Sequence, residues 1–264
     1  MVPVINWKRL EKFVRQESQR MHGADADMVM DKLWRIGDLC GEGTQGRQAI
    51  NRVAASLMTT KCKPVIIAPC CPDYTHVDGR YTFRGLSGGV SLLTSLHIQF
   101  LESLVEILPD ATIRILIADQ EAQDLALCQA CGKSQEEFLV LVAQSIRNTQ
   151  NKVASYGWQT EPFTQYMPDL LEQEREISAE LLVDSEFSYQ LHDETMTRAE
   201  MYARIGRFSV AEQLQRTART ASQYLALGRR VRQENGIVVN HTTTNLSWYA
   251  RAEVAVLHNP VCVY

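Results

Sequence analysis

The stretch Val65–Asp119, VIIAPCCPDYTHVDGRYTFRGLSGGVSLLTSLHIQFLESLVEILPDATIRILIAD, decides how the chain folds. Val65 to Ala68 is a short apolar run closed by Pro69 and Pro72, and Ile113 to Ala118 is a second run, rich in β-branched residues and closed by Asp119. Such runs suit strands buried on both faces of a sheet. Between them Leu92, Leu93, Leu96, Phe100, Leu104 and Leu108 recur at helical spacing, which predicts a helix from Val90 to Leu108. Strand, helix and strand make one βαβ unit. Open parallel sheets bind ligands beyond the carboxyl ends of their strands. Two polar clusters fall there: Cys70, Cys71, Asp73, Tyr74 and His76 after the first strand, and Asp119, Gln120 and Glu121 after the second. The loop between strand and helix, about 20 residues, is long for a compact domain, and long ordered loops tend to be functional.

On the N-terminal side the pattern is helical. Val4 to Met21 carries Leu10, Phe13 and Val14, and Asp25 to Leu39 carries Val29, Leu33, Trp34 and Ile36. Asp25 reads as an N-cap, and Gly41 and Gly43 as a stop. Arg47 to Thr59 adds a third helix before the first strand, and residues 1–60 read as a helical layer.

On the C-terminal side a helix is expected from Ala122 to Cys131, ended by Gly132. In GKSQEEF, Ser134 stands at an N-cap with Glu137 at the capping-box position, opening a helix that runs to about Tyr156 and stops at Gly157. Trp158 to Tyr166 is a short aromatic run that reads as a third strand, and two or three helices follow between Asp169 and Arg207. Ser209 caps a last long helix to about Arg232, after which Ile237–Val239 and Val254–Leu257 read as strands returning to the sheet. With no repeat, low-complexity tract or Pro/Gly/Ser-rich linker, residues 1–264 are expected to form a single α/β domain, with residues 61–264 as its core.

Composition narrows the class. Hydrophobic content of 45%, charged content of 22% and a net charge of -4 describe an ordinary globular protein. No apolar run is long enough to span a bilayer, and MVPVINWKRLEKF turns charged too soon for a signal peptide, so a cytoplasmic protein is expected. Seven scattered cysteines, an odd number, do not form a disulfide framework and suit a reducing compartment. Mild acidity without a basic run argues against a DNA-binding protein.

Cys70 and Cys71 adjoin prolines at a strand end, where a thiol approached by His76 or His241 could be an activated nucleophile. Small buried residues are the alternative. A metal site is not expected: adjacent cysteines suit a closed tetrahedral site poorly, and Cys128 and Cys131 lack a second ligand pair. In GLSGGVS, Gly88 and Gly89 lead into a helix whose first amides could hold a phosphate or carboxylate; the alternative is a turn capped by Ser87. Asn240, His241 and Thr242 open the polar run NHTTTN after a strand, with His241 a candidate base or ligand contact, and His258 a weaker candidate read as structural. On the last helix Arg216, Arg219 and Gln223 share one face beside Tyr224, either as solvated charge or as a phosphate-binding stripe.

The segments IIAPCCPDY, the helix Val90–Leu108, IRILIAD, CGKSQEEF, RTARTASQY and GIVVNHT together resemble, in order and pattern, the isocyanide synthases. Tyr74 and Thr75 stand where that family has lysine and serine. The resemblance implies a Rossmann-like α/β fold, a mostly parallel sheet flanked by many helices. It also implies an enzyme of specialised metabolite synthesis in which an amino acid's amine gains a carbon from a pentulose phosphate. The substrate is then a small, phosphorylated molecule with an amino-acid pocket beside it, and no cofactor is called for. Asp119 would orient the amine, His241 shuttle a proton and Arg219 bind phosphate or carboxylate.

A second resemblance is to the cyclodipeptide synthases, also Rossmann-like, which take aminoacyl groups from tRNA onto a serine beyond the first strand. FLVLVAQSIRNTQNKV and VDSEFSYQ are similar to segments of that family, Cys70 falls near the nucleophile, and the family's paired tyrosine and glutamate correspond to Tyr224 and Gly228. That reading makes tRNA a partner. The non-enzymatic alternative is a Rossmann-like ligand-binding protein.

Overall fold

The computed structural model describes residues 5–20, 25–41, 47–72, 87–130, 132–183, 185–197, 209–240 and 246–260. Three helices come first, α1 (Trp7–Arg20), α2 (Ala26–Cys40) and α3 (Arg47–Thr59). The expected βαβ unit follows as β1 (Val65–Cys70), α4 (Leu92–Ile107) and β2 (Thr112–Ile117). Next are α5 (Leu125–Ala130), α6 (Gln135–Val153), β3 (Gln159–Pro162), α7 (Phe163–Tyr166), α8 (Leu170–Val183) and α9 (Ser185–Thr197). The chain closes with α10 (Val210–Gln233), β4 (Ile237–Asn240), α11 (Leu246–Arg251) and β5 (Ala255–His258).

The five strands form one parallel sheet in the order β3-β2-β1-β4-β5, flanked by helices, which is a Rossmann-like α/β fold. Strands are added on one side of β1 as far as β3, then on its other side as β4 and β5. Every residue of β4 and β5 is buried, as expected of strands covered on both faces.

Packing divides the chain into two compact units, one of Met1–Ala68, Leu96–Arg114 and Gly228–Tyr264, the other of Pro69–Ser95 and Ile115–Leu227. In the first, β1 pairs with β4 through Ile66 and Ile237, and β4 pairs with β5 from Ile237 opposite Ala255 to Asn240 opposite His258. Helix α3 packs along β5 and buries Ile50, Val53, Ala54 and Leu57. Its Ser56 hydroxyl donates to the Asn235 carbonyl at 2.6 Å, tying the helix to the turn that starts β4. Trp7 stacks on Trp34 with ring centroids 3.8 Å apart and lies over Gly37, where a Cβ would come within 2.8 Å of the indole. In the second unit, the carboxyl ends of β1 and β2 stay paired: the Ala118 amide donates to the Cys70 carbonyl at 2.9 Å.

Local signals hold where donor and acceptor are neighbours in sequence. Asp25 caps α2 by accepting from the Asp27 and Met28 amides, and Gly41, at φ 71°, ends it. Ser134 and Glu137 form the reciprocal capping box of α6, which draws the Glu137 carboxyl below the usual carboxylate range. Ser209 and Glu212 do the same for α10.

Three boundaries differ from the expectation, and one helix is new. Strand β1 continues through Pro69 to Cys70, because a proline gives up one ladder donor but keeps its extended φ and its carbonyl. The helix expected over Ala122–Cys131 is a 3-10 turn, Asp119–Gln123, then α5, separated by Asp124 in an extended conformation. The run Trp158–Tyr166 is a strand only from Gln159 to Pro162, and Phe163–Tyr166 turns helical. Helix α11 has no counterpart in the sequence reading.

Candidate functional site

At the carboxyl end of β1, Cys70 is buried inside the strand and Cys71, the next residue, is half-exposed. Cys40, Cys62, Cys70, Cys71 and Cys128 are all thiols. Burial pushes the Cys62 and Cys128 thiols up, away from the thiolate form. Asp73, Tyr74 and His76 lie outside the described residues.

The glycine turn before α4 is held by α6. The Asn148 side chain donates to the Gly88 carbonyl at 2.9 Å, and the Ser145 hydroxyl donates to the Gly89 carbonyl at 2.7 Å. Gly88 adopts φ 78°, and a Cβ there would lie 2.8 Å from the Gln144 side chain. Both conditions call for glycine on conformational and packing grounds. Ser87 caps the turn as read, its Oγ accepting the Gly89 amide at 3.3 Å, and α4 has its own cap in Ser91, whose Oγ accepts the Thr94 amide at 2.9 Å, the N-cap to third-residue spacing.

The polar density lies at the carboxyl end of β2. Asp119 accepts from the Thr164 amide at 2.9 Å and also from the Thr164 hydroxyl, so it holds the start of α7 against the end of β2. Asp124 pairs with Arg216 at 2.5 Å, both side chains about four-fifths buried. Between α8 and α10 runs a polar seam. The Arg219 Nε lies 2.6 Å from Glu174 Oε1, an ion pair set by charge proximity, since its N–H is not aimed along that line. Gln223 Nε2 donates to Glu174 Oε2 at 2.6 Å, and Gln120 Nε2 donates to Gln223 Oε1 at 3.4 Å. Further along the seam, the Ser178 and Ser222 hydroxyls meet at 3.0 Å.

Glu174 is a carboxylate in a core position: with Leu170, Ile177 and Leu181 it makes the buried stripe of α8. Its charge is met by Arg219 and Gln223, the condition under which a buried ion is tolerated. Gln120 is 5% exposed, and its Oε1 is buried without a hydrogen-bond donor. An orphaned buried acceptor costs about 1–3 kcal/mol.

In the other unit, the carboxyl ends of β4 and β5 carry Asn240 and His258, side by side in register and fully buried. The Asn259 amide donates to the Asn240 carbonyl at 2.8 Å, and the Asn259 side chain faces the Leu96 carbonyl and the buried His97. Burial pushes the His258 imidazole below its usual value and keeps it neutral. His241 and Thr242 lie outside the described residues.

Of the residues singled out in the sequence, Asp119, Arg216, Arg219 and the half-buried Tyr224 fall in the same unit, as do Cys70, Cys71, Gly88, Gly89 and Glu121. Asn240 belongs to the other. The arginines, read as a phosphate stripe or as solvated charge, are both in ion pairs with carboxylates. The sequence reading did not find Glu174 or Thr164, or a role for Gln120. A signal existed for Glu174, an acid breaking the apolar spacing Leu170, Ile177, Leu181. None existed for Thr164, 45 residues from Asp119.

Among the described residues no helix is long and apolar enough to cross a membrane. Fold and site define a Rossmann-like α/β protein with a charged, mostly sequestered polar cluster at the carboxyl end of β2. No protein-family model matches the chain, and no curated protein matches it.

Proposed function

We propose that this chain is an enzyme that modifies an amino acid or an amino-acid-derived amine in the manner of the isocyanide synthases, in specialised metabolite synthesis. The observation that supports this reading is the cluster at the carboxyl end of β2, where Asp119, Gln120, Glu174, Arg219 and Gln223 gather in one unit. Ligands of open parallel sheets bind at that end. Asp119 orients the substrate amine: Thr164 occupies two of its acceptor positions, and an ionised carboxylate has about four. Arg219 answers a phosphate or carboxylate of the substrate, with Glu174 holding the guanidinium in place. The isocyanide-synthase resemblance assigns the proton shuttle to His241, which lies outside the described residues.

Two features weigh against aminoacyl transfer from tRNA. Gly228, which corresponds to the glutamate of the cyclodipeptide synthases, has no room for a side chain, since a Cβ there would lie 2.6 Å from the Ala252 Cβ. Helix α8 exposes Glu172, Glu176 and Glu180 against the single basic Arg175, a face that repels a polyanion.

The test is thermal stabilisation of the purified chain by pentulose phosphates with amino acids, against charged and uncharged tRNA. Stabilisation by the sugar phosphate and an amino acid, followed by turnover that falls in Asp119→Asn, His241→Ala and Arg219→Ala, is the expected result. Stabilisation by charged tRNA alone transfers the reading to aminoacyl transfer, with Cys70 the first residue to replace. Binding of a small molecule with no chemical change in it makes the chain a binding protein. Turnover intact in all three variants refutes the site.

A further inference from the structure

The relay that runs from the Arg219–Glu174 ion pair through Gln223 to Gln120 has a direction, and the direction leaves one end open. A carboxylate only accepts, so Gln223 must turn its Nε2 toward Glu174 and therefore its Oε1 toward Gln120. Gln120 must then present its own Nε2 to Gln223, and its Oε1 is left over, buried and without a donor. Turning either amide round sets two acceptors or two donors face to face, so the one arrangement that satisfies both contacts leaves an acceptor at the open end.

We infer that Gln120 Oε1 is the acceptor for a primary amine or ammonium carried by the ligand, and that Gln120 makes this site prefer amines over compounds that lack one. The inference rests on the amino-acid reading above and names the residue that recognises the amine. Glu174 is already balanced by Arg219, so the relay has no net charge to repel either sign of ligand. Asp119 precedes Gln120 at the start of the same 3-10 turn, and its carboxylate favours a cationic donor over a neutral hydroxyl. Gln223, the side chain bonded to Gln120, is partly exposed, so the relay runs from the buried Gln120 toward the surface. The one bond that holds its amide is the longest in the relay, 3.4 Å, and resists a turn toward an incoming donor only weakly.

The experiment is equilibrium binding to the full chain, by calorimetry and thermal shift, of the twenty proteinogenic L-amino acids. Each one that binds is paired with its des-amino acid, the same carboxylate and side chain with hydrogen in place of the ammonium group. The wild-type chain should prefer the amine by at least about 10-fold, the worth of one hydrogen bond to a charged donor. In Gln120→Met the ratio should fall by about 10-fold, the part that Asp119 does not supply, while affinity for the des-amino acid stays within about twofold, because only the amide is lost. Gln120→Asn, which withdraws the amide by one methylene, should lower the ratio in the same sense and stands in if the Met variant does not fold. An unchanged ratio in a folded variant overturns the inference and leaves the amino-acid reading standing. A wild-type ratio near one overturns it whatever the variants do. A wild-type chain that binds neither the amino acids nor their decarboxylated amines, with a pentulose phosphate present or absent, overturns both.

Discussion

Replacing Glu174 by glutamine tests whether the seam between α8 and α10 is held by charge. The substitution keeps the shape and removes the negative charge, so that Arg219 loses its counter-ion and one amide N–H must face another donor, Arg219 or Gln223. Breaking a fully buried ion pair costs about 3–5 kcal/mol. An exposed pair is worth about 0–1 kcal/mol. The side chains here are 10% exposed for Glu174 and 33% for Arg219, so the guanidinium recovers part of its hydration while the carboxylate side recovers little. Between those limits Glu174→Gln should cost about 2 kcal/mol. Arg219→Gln should cost more, about 3 kcal/mol, because it strands the more buried partner. The double variant should cost less than the two together, with a coupling of at least about 1 kcal/mol. Urea unfolding followed by circular dichroism, with m held constant across the four proteins, measures each step. A coupling below about 0.3 kcal/mol, the error of additivity, would show that the two side chains do not act as a pair.

Gly228 and His258 give two further tests. Gly228→Ala gains about 1 kcal/mol of helix propensity. It also drives a Cβ to 2.6 Å from the Ala252 Cβ and 3.3 Å from the Tyr249 ring, neither of which is the end of a flexible chain. Overpacking costs about 1–3 kcal/mol, so the melting temperature should fall, and a rise would refute the packing argument. His258 has a folded-state pKa below its unfolded one, so the unfolded chain binds the extra proton between the two values. Its contribution is therefore complete above the ordinary histidine value of about 6.5 and is lost as pH falls through the folded value, with a limiting slope of about 1.4 kcal/mol per pH unit. His258→Gln should flatten that acid limb in a stability-against-pH series, and an unaltered limb would assign it to another group.

The sheet and most of the helices were legible in the sequence because their signals are local or periodic. The two apolar runs around Leu92–Leu108 predict strand, helix and strand, and these form within about two residues of their expected bounds. Asp25, Ser134 and Ser209 cap their helices as read, because a cap's donor and acceptor lie two or three residues apart. The face of α10 carrying Arg216, Arg219 and Gln223 was also legible, from helical spacing alone.

What those three side chains meet was not. Asp124 and Glu174 are brought to them across 92 and 45 to 49 positions, by packing of α10 against α8 and against the turn after β2. Asp119 was marked as a strand-end acid, but its grip on Thr164 depends on β3 lying beside β2. The same holds for His258, a histidine near the end of the sequence that becomes a neutral buried side chain only when α3 and β4 close over β5. Periodicity and capping are encoded in neighbouring residues, so the sequence alone determined the elements and their order. Ion pairs, orphaned acceptors and desolvation depend on which distant residues come to share a low-dielectric space, and only the tertiary structure decided those.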